Sequence, residues 1–312
     1  MNFSNYKFRA HSIGNIMAGL PKPLTERQQE TFEAYTERKN GIGKALTDKQ
    51  LSDWGSLYDK KNAKPKLTDG AKTYLEKLVW EEITGKREEI KSKYLDKGIM
   101  AEEKSITLYS KVTDKIFFKN SERKTNQFFT GEVDNAQGKI RDIKTSWSFS
   151  SFPIREKVIP NKMYEWQLDV YMDLWDIPES ELIYCLVDTP NKLINDELRR
   201  MDWEHDIIDG NGDIRDDKRD LVVESVSNLI YTYEGLEEFC HQSTSIKLDW
   251  FEDKFKEIPE EIRVKVFEHN YCEERNSQLK TMVGLAREYM NLLLEDMGES
   301  IMKLNNQLLK TA

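Results

Sequence analysis

The 312-residue chain reads as a mixed α/β protein, with a central mixed sheet flanked by helices and helical elaborations at both ends. Three observations predict this. Helix-capping signals punctuate the first 85 residues. Between residues 86 and 190 the apolar period changes from helical to strand-like and back, in the order α, β, β, β, α, β. Beyond residue 190 the pattern is helical again. With 13 Phe, 13 Tyr and 7 Trp, the chain has enough aromatic mass for a sizeable core, which argues against wholesale disorder.

The elements follow in order. Thr25-Glu-Arg-Gln28 and Thr47-Asp-Lys-Gln50 fit the capping-box pattern, each opening a helix by pairing a Thr hydroxyl with a Gln three residues on. Lys64-Pro65-Lys66 separates these from a third helix, Asp69 to Thr84, and a fourth is expected from Lys86 to Val112, with Gly98 an anomaly inside it. Strands are expected at Lys115-Ile-Phe-Phe118, Gln127 to Val133 and Lys139 to Trp147, with polar turns around Asn120 and Asn135–Gly138. An amphipathic helix then covers Lys162 to Trp175, ended by Pro178, and Glu181 to Val187 is a buried strand. Residues 191–250 read as an acid-rich helical elaboration. From Pro259 onward the chain reads as long helix, with Leu292–Leu294 and Leu308–Leu309 as apolar positions.

The net charge of −9 ordinarily counts against a nucleic-acid partner. It is unevenly spread, however. Asp173 to Glu260 holds 24 acidic and 9 basic residues, a net of −15 that leaves +6 for the remainder, and Lys86 to Lys124 carries a local +4. The division permits a polyanion partner without requiring one. No apolar run is long enough for a membrane span, and the N-terminal residues have no signal-peptide pattern, so a cytoplasmic location, of the host cell if the source is viral, is expected. Cys185, Cys240 and Cys272 are too few for an iron–sulfur cluster and make no disulfide framework. Four scattered histidines have no zinc spacing, and no phosphate-cradling Gly-x-x-x-x-Gly-Lys motif is present.

Chemistry concentrates in four short stretches. In Asp142-Ile-Lys144, a carboxylate and an ammonium two apart share one strand face. Alone, this reads equally as a surface ion pair. In Gly131-Glu-Val-Asp134, on the strand before, a hairpin from Val133 to Ile140 would set Asp134 beside Asp142, where two carboxylates repel unless a cation neutralises them. In Gly98-Ile-Met-Ala-Glu102, helical spacing places Gly98 and Glu102 on one face, with Gly98 admitting close approach of a neighbour. Gln167-Leu-Asp-Val-Tyr171 places an amide and a phenol on one helix face.

In this order, within about 75 residues, the four motifs make the chain resemble the PD-(D/E)XK nuclease superfamily, and most closely its RecB-like and lambda-exonuclease-like (YqaJ-type) branch from viral recombination systems. The resemblance covers roughly residues 90–190, with an extension through Arg9-Ala-His-Ser-Ile-Gly14. It implies a restriction-endonuclease-like core at 86–190, a helical N-terminal part of the same domain at 1–85, and an acidic insertion with a helical C-terminal region at 191–312. It also implies a metal shell of Glu102, Asp134, Asp142 and the Ile143 carbonyl, a catalytic Lys144, and Gln167 and Tyr171 near the scissile phosphate. Val133 stands where the family has proline, and Asp at 142 is within the pattern. Oxygen ligands suit Mg2+ or Mn2+.

The activity implied is metal-dependent hydrolysis of DNA, as an exonuclease resecting linear double strands. The alternatives are an endonuclease with the same site and a catalytically weak DNA-binding or assembly factor. A homo-oligomer and a single-strand-annealing protein are the implied partners, and Arg123, Lys124, Arg155 and Lys157 are candidates for contacts to the DNA backbone. A second acidic pattern, Asp209-Gly-Asn-Gly-Asp213 through Asp217 and Asp220, spaces its acids like a calcium loop. Ile214 occupies the position that demands glycine, so a solvated acidic loop is the expectation.

Overall fold

The computed structural model of the chain describes residues 1–89 and 91–311, with side chains through residue 298. In order, β1 is Phe8–Arg9, α1 Glu26–Lys39, α2 Asp48–Lys61, α3 Asp69–Thr84, α4 Lys93–Met100, α5 Glu102–Thr113, β2 Arg123–Thr125, β3 Phe129–Glu132, β4 Ile140–Thr145, α6 Lys162–Trp175, β5 Glu179–Cys185, α7 Asn191–His205, α8 Arg219–Ser227, α9 Tyr233–Gln242, β6 Val264–Asn270 and α10 Glu273–Thr311. These form two compact units: residues 1–8, 12–86 and 273 onward make the first, and residues 9–11 with 87–272 the second. The protein is thus mixed α/β, as its sequence predicts.

The first unit is helical. Both capping boxes form as written, with the Thr25 and Thr47 hydroxyls taking the Gln28 and Gln50 amides. Helices α3 and α10 pack together, and Tyr289 of α10 hydrogen-bonds Glu76 of α3 at 2.8 Å. Their buried residues recur at helical spacing: Ala71, Leu75 and Val79 on α3, and Leu279, Met282, Val283, Ala286 and Met290 on α10. Leu292 is exposed, and the side chains of Leu308 and Leu309 lie outside those described.

The second unit holds two small sheets. One has the order β1-β3-β2, with Arg9 carrying β1 into it; the other has the order β4-β5-β6. Strands β4 and β5 are parallel, joined through α6, while β5 and β6 are antiparallel. Helix α5 covers one face of β4 and β5, burying Ile106, Leu108 and Tyr109 against Ile143, Ile183 and Cys185. The acid-rich stretch has an apolar core of its own, from Ile194 on α7 through Val222 and Val226 on α8 to Phe239 on α9. Its charge therefore lies around a folded element rather than along a loose tail. No helix among the described residues is long and apolar enough to cross a membrane.

Three expectations need correction. The fourth helix is two, α4 and α5, broken at Ala101, whose backbone (φ −110°, ψ 10°) leaves the helical region. Lys115–Phe118 finds no strand partner; the Asn135 side chain bonds the Phe118 carbonyl and the Asn120 amide bonds the Asp134 carbonyl. Strand β2 forms instead, antiparallel to β3. Finally, Val264–Asn270 is strand rather than helix, because β5 offers a complete antiparallel ladder that outweighs a short stretch of weak helical pattern.

Candidate active site

Strand β4 supplies the centre of the site by alternation. Ile143 faces α5, so Asp142 and Lys144 face the opposite side, beneath α6. Lys144 Nζ lies 2.6 Å from Asp142 Oδ2 and 4.8 Å from the centre of the Tyr164 ring. The other carboxylate oxygen of Asp142 accepts a hydrogen bond from Gln167 Nε2 at 3.1 Å, and the same amide donates to the Tyr171 hydroxyl at 3.1 Å. Among the described residues the Lys144 ammonium is the charge-balancing partner of Oδ2, and it is shared between Asp142 and the neighbouring Asp134.

Asp134 reaches the same place by a different route from the expected hairpin. Strands β3 and β4 belong to separate sheets, and an isolated antiparallel bridge, Asn135 to Arg141, joins the chain between them. That bridge continues the register that pairs residue 134 with residue 142, and Asp134 Oδ2 accepts the Ile143 amide at 2.5 Å. Burial, then the Asp142 charge, push the Asp134 carboxyl up to about 7. Burial works against the charge on Lys144, but Asp142 and Asp134 together hold its pKa above the ordinary lysine range. Burial and Asp142 likewise raise Tyr171.

These groups line a cavity of about 730 Å³ together with Glu102, Gln167 and the aromatic side chains Trp147, Tyr164 and Tyr184. Glu102 begins α5, and its carboxylate is paired with Lys119 at 2.6 Å. The Gly98–Glu102 spacing therefore spans a break, not one helix. A Cβ at Gly98 would touch nothing within 4 Å, so that glycine packs against no neighbour; it opens on the cavity. Close approach occurs at Gly131 instead, where a Cβ would lie 2.8 Å from Tyr171 Cε1 and 3.0 Å from the Ala10 Cβ.

The donor set fits a divalent cation. Two adjacent buried carboxylates, Asp134 with its pKa raised by burial and by its neighbour, share a single ammonium and leave a surplus negative charge for a hard cation taken through oxygen. Among the described residues no three acidic, histidine or cysteine side chains converge as a preformed metal cluster, since Glu102 is engaged by Lys119.

The expected DNA-contact residues are not gathered at the cavity. Arg123 pairs with Glu132 at 3.1 Å, Lys124 lies 5.3 Å from the Trp175 ring centre, and Arg155 and Lys157 are exposed beyond β4. In the acidic loop, Asp209 accepts the amides of Asn211 and Asp213, which lower its pKa, and Asp220 pairs with Lys254, so its first and last acids are already occupied. Sequence reasoning missed Tyr164, Trp147, Tyr184 and Lys119. Tyr164 precedes Gln167 by one helical turn and was findable by spacing; Lys119 reaches Glu102 only through the tertiary fold. His11, inside the Arg9–Gly14 extension, is electrostatically close to Lys144: burial lowers its pKa, and Arg9, Lys144 and Arg123 lower it further.

No family model and no curated protein matches the chain. Among solved structures, it is similar to a phage-related exonuclease from Haemophilus somnus 129PT, at 22% identity and a TM-score of 0.56 over 94% of this chain and 97% of that one. It also aligns with an alkaline exonuclease from Laribacter hongkongensis at 10% identity and a TM-score of 0.49, over 96% of each chain. The first similarity, spanning both compact units, gives the chain the fold of a phage-related exonuclease, the nuclease fold to which its four motifs point.

Proposed function

We propose that the protein is a metal-dependent deoxyribonuclease that hydrolyses phosphodiester bonds at the ends of linear double-stranded DNA, in phage-type recombination. The observation that carries this reading is the meeting of Asp134, Asp142 and Lys144 in one cavity on an exonuclease fold, two buried carboxylates against one ammonium. A solvated surface pair would have no reason to bury like charges together.

Asp134, Asp142 and the Ile143 carbonyl would hold Mg2+ or Mn2+, joined by Glu102 once it exchanges Lys119. A bound cation of this kind lowers the pKa of water and offsets charge on the phosphoryl oxygens. The remaining work falls to the chain itself. Gln167 holds Asp142 Oδ1 by its amide and so sets which carboxylate oxygen faces Lys144. Tyr171 packs on Gly131 and anchors that amide. Lys144, kept protonated by two carboxylates and seated on the Tyr164 ring, orients water or balances the phosphoryl charge. A homo-oligomer working beside a single-strand-annealing protein belongs to the same reading.

The experiment is hydrolysis of linear duplex DNA with Mg2+ or Mn2+ by the wild type, Asp142→Ala and Lys144→Ala. Loss in both variants is expected. Undiminished hydrolysis in both would remove the site assignment, and an inert wild type would remove the activity. Cleavage of closed circles would replace the exonuclease with an endonuclease.

A further inference from the structure

Helix α4 is turned inside out. Its second lysine, Lys97, is 0% exposed, while Tyr94 and Ile99 are 61% and 65% exposed and line the cavity. A buried ammonium needs a strong reason, because desolvation is costly and lysine is seldom fully buried without partners. The partners are specific. Lys97 Nζ donates to the Trp147 carbonyl at 2.8 Å and lies 5.9 Å and 5.5 Å from the ring centres of Trp147 and Tyr231.

Trp147 lies two residues beyond the end of β4 and is itself a cavity wall. Its ring is also met edge-on by Tyr94 at 5.8 Å and by Lys93 Nζ at 4.8 Å, and Lys93 is tied to Glu197 of α7 at 2.9 Å. The charged groups facing Lys97 are therefore few. Asp188, just beyond β5, favours its protonated form and accepts hydrogen bonds from the Tyr231 amide and the Thr232 hydroxyl. Lys93 shares the Trp147 ring.

We infer that Lys97 is a positioning residue of the active site: its buried amine, bonded to the Trp147 carbonyl between two aromatic rings, holds Trp147 and the cavity-lining face of α4 in place to receive the DNA strand. Two observations support a positioning role over a purely structural one. Tertiary packing alone would be served as well by an apolar side chain of similar length. And burial brings Lys97 down to about 7, against a partial offset from Asp188, so the fold carries a cost for keeping it. That cost is full below about pH 7 and disappears by about pH 10.5, where the unfolded chain also releases the proton.

The test uses the full-length protein, with Lys97→Met and Trp147→Phe singly and together. Lys97→Met is expected to fold and to melt no lower than the wild type, with its advantage greatest below about pH 7 and vanishing toward about pH 10.5. In protein labelled with 5-fluorotryptophan, the Trp147 resonance, assigned by its loss in Trp147→Phe, should shift in Lys97→Met. Resting on the nuclease reading, KM for linear duplex should rise about tenfold while kcat stays within about twofold, and the double variant should be no worse than the poorer single one.

An unmoved Trp147 resonance with unchanged KM overturns the inference. So does a KM effect that adds to that of Trp147→Phe, and so does a fall in melting temperature with kcat and KM declining together, which marks a structural role only. If the wild type does not hydrolyse DNA, the nuclease reading fails, while the fluorine signal and the pH profile still decide whether Lys97 holds Trp147.

Discussion

The two faces of β4 carry charges of opposite design. Arg141 faces α5: its guanidinium donates to Glu181 at 3.0 Å, to Asn135 at 3.1 Å and to the Gln137 carbonyl at 2.8 Å, and it lies 4.5 Å from the Phe117 ring centre. Glu181, its cross-strand neighbour on β5, also meets Lys139 at 3.4 Å and the Tyr109 hydroxyl at 2.9 Å. One residue along, Asp142 faces α6: Oδ1 takes the Gln167 amide and Oδ2 lies 2.6 Å from the Lys144 ammonium, with the Asp134 charge beside it. The first network sets one carboxylate against two cations. The second holds two carboxylates against one ammonium and keeps a surplus negative charge. Charges that serve the fold are matched, and charges that await a cation are left in surplus.

The largest expected contrast is between adjacent residues. Asp142→Asn and Lys144→Ala should each lower DNA hydrolysis by about 10²-fold or more, the scale of losing one preorganised electrostatic group, and Asp142→Asn, which relieves the repulsion between the carboxylates, should do so with no fall in melting temperature. Arg141→Met should do the reverse. It leaves the Glu181 carboxylate half-partnered in a largely buried place, so unfolding free energy should drop by about 3 kcal/mol, read by urea denaturation, with specific activity per folded molecule retained. Equal stability losses on both faces would break the comparison.

Proton linkage sharpens it further. In chelator, the folded protein retains the Asp134 proton up to about 7, while the unfolded chain releases it at an ordinary carboxylate pKa. The penalty for charging Asp134 is thus absent below about pH 4 and complete above about pH 7, so this group makes stability fall as pH rises through that window, by on the order of 4 kcal/mol. Asp134→Asn should flatten the profile, and added Mg2+ should restore stability at high pH in the wild type only. A smaller effect is expected at the packing level. Gly131→Ala brings a methyl within 2.8 Å of Tyr171 and should cost about 1–3 kcal/mol of stability, displacing the phenol that anchors Gln167.

Much of this face was legible in the sequence, because its information is local. Period-two alternation placed Asp142 and Lys144 together, helical spacing placed Gln167 and Tyr171 together, and α6 spans the residues its amphipathic pattern marks. The Asp134–Asp142 pairing was also legible, although an isolated bridge replaces the hairpin ladder. What escaped depends on distant partners. Strand β6 exists because β5 offers it a ladder, Lys119 reaches Glu102 from a loop, and Lys97 is buried in a helix whose apolar residues face outward. No local pattern marks a lysine for burial, since in an isolated helix that residue would face water. The charge division was half informative. It separated an acidic segment from a basic remainder, but not that the acidic segment folds around its own apolar core.

The smallest expected effect concerns basic residues that neither face of β4 uses. Arg155 and Lys157 are exposed and line no part of the cavity, so their substitution should leave kcat on bound DNA unchanged. If they meet the DNA backbone, each Ala variant should weaken binding severalfold at low salt and reduce the slope of log affinity against log salt by about 1, because one fewer counterion is released per lost phosphate contact. Arg123 gives the internal control. Its guanidinium is already paired with Glu132, so Arg123→Ala removes a partly neutralised charge and should reduce the slope less than Arg155→Ala does. Slopes unchanged in Arg155→Ala and Lys157→Ala would remove both from the DNA path and confine recognition to the cavity and its rim.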